Sequence, residues 1–107
     1  SMNFIINGVP WVVLIDNPNS DALRRSDGSL AVGVTDAGTN TVTLSNLLSG
    51  EFLRKVLIHE ICHCVCFSYG IHIPISQEEF LCDFVASHGD EVFDIVAMLS
   101  NAVRKAV

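Results

Sequence analysis

Positive charge is scarce in this chain. Lys and Arg number 6 against 12 Asp and Glu, for a formal net charge of −6, and they fall in three separated pairs, Arg24-Arg25, Arg54-Lys55 and Arg104-Lys105. A protein that holds a nucleic-acid backbone needs a basic face, so nucleic acid is excluded as the main partner. Long apolar runs are missing as well. Half the residues are apolar and only 17% are charged, and mean hydropathy is +0.44. Even so, Arg54, Lys55, His59, Glu60 and His63 interrupt the longest apolar stretch, well short of the roughly 18 to 20 residues that span a bilayer. No membrane partner is expected, although so apolar a composition leaves room for a dimer interface. The start, SMNFIING, lacks the basic region and cleavage site of a signal peptide, and Ser1 ahead of Met2 reads as an expression remnant. Internal repeats, low-complexity segments and a helix-turn-helix are absent from the sequence.

Disulfides are also unexpected. Of the four cysteines, Cys62, Cys64 and Cys66 sit at two-residue steps on one predicted helix, where their side chains diverge and cannot pair with one another. With no secretion signal, reduced thiols and a cytoplasmic location are the expectation. A chain of 107 residues suffices for one modest core, which predicts a single domain over residues 2–107.

The first half reads as strand and turn. Phe4-Ile5-Ile6, then Asn7-Gly8, then Val9 to Ile15 is the pattern of a tight hairpin, provided Pro10 sits where no ladder donor is needed. Residues 16–29 are polar and turn-forming, with a short helical piece around Asp21 to Arg25. Leu30 to Val34 and Thr41 to Leu44 read as strands flanking a loop over Asp36 to Asn40. Helices fill the second half. Ser49 caps a first helix that runs to about Tyr69, where Gly70 ends it, and its nearly all-round apolar character marks it as central. After a connector broken by Pro74, Ser76 caps a second helix with Glu79 three residues on and Ile75 and Phe80 as flanking hydrophobic contact. Gly89 is read as an interruption, with Asp90 opening a third helix to about Lys105. The expected fold is therefore α+β: a small, twisted, mostly antiparallel sheet packed on the first helix, plus two further helices.

Within that first helix stands His59-Glu60-Ile61-Cys62-His63, an H-E-x-x-H. At 3.6 residues per turn the two imidazoles share a face and can bind one zinc ion, with Glu60 leaning to the same side. Three polar residues inside an apolar helix need partners, and a metal supplies them together. A catalytic zinc wants a third protein ligand and an open position. Glu79, 16 residues after His63, is the leading candidate, and Asp83, four residues further, is placed to accept the outer N–H of a ligand histidine. A competing job for Glu79 is to close the helix start with Ser76, in which case Glu78 becomes the ligand. Cys62 and Cys66 fall near the metal face but read as small buried apolar groups.

H-E-x-x-H followed on a second helix by a ligand Glu resembles the gluzincin pattern of zincin metallopeptidases, and Glu79-x-x-x-Asp83 looks like its E-x-x-x-D segment. The nearest resemblance is to the ImmA/IrrE-type metallopeptidases common in phages and mobile elements, whose cores read as a short strand, the H-E-x-x-H helix, then E-x-x-A-N-x-F-A-A. Here the strand is Thr41 to Leu44 and the second motif aligns over Glu79 to Ser87, with Cys82, Asp83, Val85 and Ser87 as departures. His88-Gly89-Asp90-Glu91 stands where that group continues Leu-Leu-Met-Pro. The resemblance covers about residues 41–88. It implies a zinc metallopeptidase of the minimal zincin kind in which His59, His63 and Glu79 hold the ion and Glu60 is the base that takes a proton from the attacking water. It also implies an edge strand, Thr41, Val42, Thr43 and Leu44, that pairs with an extended peptide or protein substrate. Tyr69, His72 and His88 are the candidate donors for the oxyanion. The alternative reading is a metal-bound, catalytically weak interaction module in a phage setting, suggested by the small size and the lack of a clear oxyanion donor.

Overall fold

The computed structural model describes residues 2–107; Ser1, read above as an expression remnant, lies outside them. The fold is α+β, with strands β1 (Met2–Ile6), β2 (Val9–Asp16), β3 (Gly33–Asp36) and β4 (Thr41–Ser45) followed by helices α1 (Gly50–Ser68) and α2 (Ile75–Ala106). Among the described residues no helix is long and apolar enough to cross a membrane.

The hairpin expected from Asn7-Gly8 forms as read. Both residues take positive φ, 50° and 76°, which is what a two-residue turn matching the strand twist requires. Ile6 pairs with Val9 and Ile5 with Pro10. The parallel pairing of β2 with β4 begins only at Val12 opposite Thr41, so Pro10 faces no acceptor that its missing N–H would serve.

The sheet is mixed, in the order β1-β2-β4-β3. Two pairings are antiparallel, as expected, but β2 and β4 run parallel, because the chain leaves β2 through a short 3-10 helix (Asp21–Leu23) and returns along β3 before entering β4. This corrects one site expectation. Thr41, Val42, Thr43 and Leu44 are not an edge: β4 lies between β2 and β3, and Val42, Thr43, Leu44 and Ser45 are all buried. Its four β-branched and apolar residues suit a strand covered on both faces. The free edge beside α1 belongs to β3. That strand starts at Gly33, later than the Leu30 expected, because Leu30 is held back in an isolated bridge to Arg24.

Trp11, Val42, Leu44, Val56 and Cys64 form the core between sheet and α1. The indole N–H of Trp11 donates to the Ser68 hydroxyl at 2.8 Å and the Asn7 amide to the Ser68 carbonyl at 3.1 Å, tying the hairpin to the end of α1. There Gly70, at φ 64°, closes a Schellman turn: Ile71 N–H donates to Cys66 and Gly70 N–H to Phe67. α1 is not covered all round, since Phe52, Val65 and Phe67 are exposed; the sheet takes one side and α2 another.

Among the described residues two α-helices, not three, follow the sheet. α2 is continuous for 32 residues and Gly89 does not interrupt it. A helix-interior glycine costs only about 1 kcal/mol, and the apolar pattern continues on both sides of it. At the next residue, Arg54 donates two hydrogen bonds to Asp90, at 2.7 and 3.0 Å, and its guanidinium holds the Asp90 carboxyl below the usual carboxylate range. Nor does Ser76 cap α2. The N-cap is Pro74, whose carbonyl accepts from Gln77 and Glu78, two residues ahead of the one read as the cap. Ile75 and Phe80 are both exposed, and Glu79 is free of any capping duty.

Candidate metal centre

α1 and α2 lie antiparallel, and the second turn of α2 faces the middle of α1. His59 and His63, one helical turn apart, meet edge to face with ring centroids 4.9 Å apart, and their Nε2 atoms are 3.2 Å apart. Glu79 closes the triangle, with one oxygen 3.3 Å from His59 Nε2 and the other 2.9 Å from His63 Nε2. His59, His63 and Glu79 thus form a group that could hold a metal ion. Tetrahedral bonds of 2.0–2.1 Å separate ligand atoms by about 3.3–3.4 Å, close to the 3.2 Å between the two nitrogens and the 3.3 Å from His59 Nε2 to its nearer Glu79 oxygen.

The outer nitrogens explain the orientation. His59 Nδ1 lies 2.8 Å from an Asp83 oxygen and His63 Nδ1 lies 2.6 Å from a Glu78 oxygen. In the tautomer that gives each Nδ1–H to its carboxylate, both Nε2 atoms are lone-pair acceptors facing each other and a third acceptor, the Glu79 carboxylate. Three converging electron-pair donors repel unless a cation sits among them. Sequence reasoning anticipated Asp83 but weighed Glu78 only as a substitute ligand. The two glutamates are adjacent on a helix, roughly 100° apart, so one reaches the inner nitrogens and its neighbour an outer one. Both stand in the opening turns of α2, where the helix dipole favours negative charge.

Glu60 is buried, with an oxygen 3.9 Å from His59 Nε2. The Thr35 hydroxyl, on β3, donates to its other oxygen at 2.8 Å. No local signal announces Thr35, because its position depends on how β3 registers against β4. Gly33, two residues before it, allows the approach: a Cβ there would stand 2.8 Å from Val56 Cγ1 and 3.2 Å from Glu60 Cγ.

A cleft of about 480 Å³ opens over these groups, walled by Val34 and Thr35 of β3, Phe67 of α1, Arg25, and Ile71 and His72 of the connector. Of the three oxyanion-donor candidates only His72 lines it. Tyr69 caps α1 with its ring 58% exposed and is not on the cleft wall. His88 packs against Phe84 with the rings tilted and their centroids 5.2 Å apart; nine residues along one unbroken helix puts it on the side opposite Glu79. All four cysteines are free. Burial pushes the Cys64 thiol up to about 12 and raises Cys62, Cys66 and Cys82 as well, so they stand as protonated core groups beside the site.

No family model, curated protein or solved structure matches this chain, so its function is read from the residues and their arrangement.

Proposed function

We propose that the chain is a zinc-dependent peptidase of the H-E-x-x-H type, with His59, His63 and Glu79 as ligands. The observation that carries the reading is the convergence of His59 Nε2 and His63 Nε2, 3.2 Å apart, on the Glu79 carboxylate, which sets one oxygen 3.3 Å from the first and the other 2.9 Å from the second, each imidazole held by an outer carboxylate. Two imidazoles and one carboxylate suit zinc, and three protein ligands leave a position open toward the cleft. Zinc bound there supplies a Lewis acid that acidifies water and polarises a carbonyl.

The chain's own residues do the rest. Glu60, oriented by the Thr35 hydroxyl, takes the proton of the attacking water and passes it to the leaving amine. His72, on the cleft wall, is assigned as the donor to the oxyanion. An extended substrate lies along the free edge of β3, Gly33–Asp36, where unpaired backbone groups border the cleft. The pattern of residues 41–88 that resembles ImmA/IrrE-type metallopeptidases supports the same reading, with β3 taking the edge role in place of β4.

The test is Glu60→Gln, compared with the native chain for zinc content and for cleavage of a mixed peptide library. The variant is expected to keep stoichiometric zinc and to lose cleavage by about 10²–10⁴-fold. Undiminished cleavage removes Glu60 from the mechanism, and a native chain that binds zinc but cleaves nothing leaves the interaction-module reading in its place.

A further inference from the structure

α2 outruns the element it packs on. In the antiparallel pair, His63 lies opposite Glu78 and Glu79, His59 opposite Asp83, and Arg54 opposite Asp90. The same register brings α1 to its start, Gly50, near Asp94. The helix then continues to Ala106, roughly 18 Å at 1.5 Å per residue, and every residue from Asp90 to Val107 is exposed. Its sequence is not that of a solvated arm. Val92, Ile95, Val96, Leu99, Ala102 and Val103 recur at helical spacing down one side, and the large ones among them are 44% to 60% exposed. The positions fit two heptads, with Val92 and Leu99 at a, Ile95 and Ala102 at d, and Glu91, Met98 and Lys105 at g.

Charge selects what covers this stripe. Glu91 and Asp94 stand at its near end; Arg104 and Lys105 stand at its far end, with no acidic residue between Asp94 and the last residue of the sequence. Glu91, Arg104 and Lys105 make no ion pair among the described residues. A partner of one sign would satisfy one end and repel the other. A parallel copy would set acid on acid and base on base. We propose that the stripe pairs with the same stripe of a second, antiparallel copy of this chain, about a two-fold axis at the level of Ala97 and Met98. In that register Ile95 meets the partner's Leu99 and Val92 the partner's Ala102. Glu91 meets the partner's Lys105, and the symmetric contact repeats at the other end. Glu79 lies twenty residues from Leu99 along the same helix, roughly 30 Å, so both clefts stay open. The dimer stands or falls independently of the metal reading.

Sedimentation equilibrium on the full chain tests it, at roughly 0.1 mM and low salt, where surface ion pairs are least screened. The expected mass is twice the 11.6 kDa of one chain. Leu99→Glu is expected to return single-chain mass with an unchanged far-ultraviolet circular dichroism spectrum. Glu91→Lys is expected to weaken dimerisation roughly tenfold, through two like-charge contacts, and adding Lys105→Glu to restore it. Single-chain mass for the native protein overturns the proposal. So does a doubled mass that survives Leu99→Glu, or a charge exchange that fails to rescue.

Discussion

Glu78 and Glu79 are identical side chains one residue apart, and the structure gives them different work. Glu79 turns both oxygens to the inner nitrogens of the histidines, while Glu78 fixes His63 from outside at 2.6 Å. Replacing an outer-shell partner of a metal-ligating histidine typically costs 10- to 100-fold in affinity. Glu78→Gln should therefore weaken zinc binding by about 10- to 100-fold, read by competition with a chromophoric chelator, while the metal-free melting temperature stays close to that of the native chain. An affinity unchanged by Glu78→Gln would mean that His63 needs no such support. At this scale the sequence was most legible where the signal was local. His59, Glu60 and His63 are fixed by helical spacing alone, and Asp83 follows from Glu79 by the same spacing. Glu79 was the leading ligand candidate but had a competing job in capping with Ser76, and the N-cap at Pro74 removes that explanation. Thr35 could not be read, since strand register places it, and His72 stood only as one of three oxyanion-donor candidates because a connector's path places it.

Between elements, the contact that matters most to the site is β3 against α1, and it closes because Gly33 has no side chain. Alanine there would place a carbon 2.8 Å from Val56 Cγ1 and 3.2 Å from Leu44 Cδ2, both anchored in the core. Overpacking of this kind costs roughly 1–3 kcal/mol. Gly33→Ala should lower the melting temperature by about 4–8 °C for each kcal/mol and loosen the Thr35–Glu60 bond. Gly38→Ala is the control, because its nearest neighbour is the exposed Asp36 carboxylate. If the two variants melt alike, the close approach at Gly33 is not limiting. Element identity was readable from the hairpin turn, the β-branched strand at Thr41 and the Gly70 stop, each a local rule. Strand order was not, because whether β4 is edge or centre depends on where the excursion through β3 returns. The reading of Gly89 as a break failed for a related reason: one glycine's cost is small beside the packing of the turns on either side.

Taken whole, the molecule is elongated, 55 × 31 × 29 Å, with one core cluster joining sheet and α1 and much apolar surface left open. A domain of this size has a small margin of stability, and a ligand that binds only the folded chain adds to it. Zinc at 100 times its dissociation constant would add about 2.7 kcal/mol, worth about ten degrees or more in melting temperature. Thermal unfolding with zinc, then with excess chelator, should show that rise and its reversal; a melting temperature indifferent to both would sink the metal reading altogether. Because α2 runs unbroken from Glu79 past Gly89 to Ala106, a change of length anywhere in it acts on phase. One residue inserted between Asp83 and Asp90 would turn everything beyond it by roughly 100° and shift it about 1.5 Å, swinging Asp90 away from Arg54 and the distal stripe out of line with the packed face. Seven inserted residues would bring the facing of the stripe back to within about 20°, though roughly 10.5 Å further along the axis. Substitutions along α2 can be judged one at a time, but insertions and deletions keep its two ends in phase only when they come close to a whole number of turns.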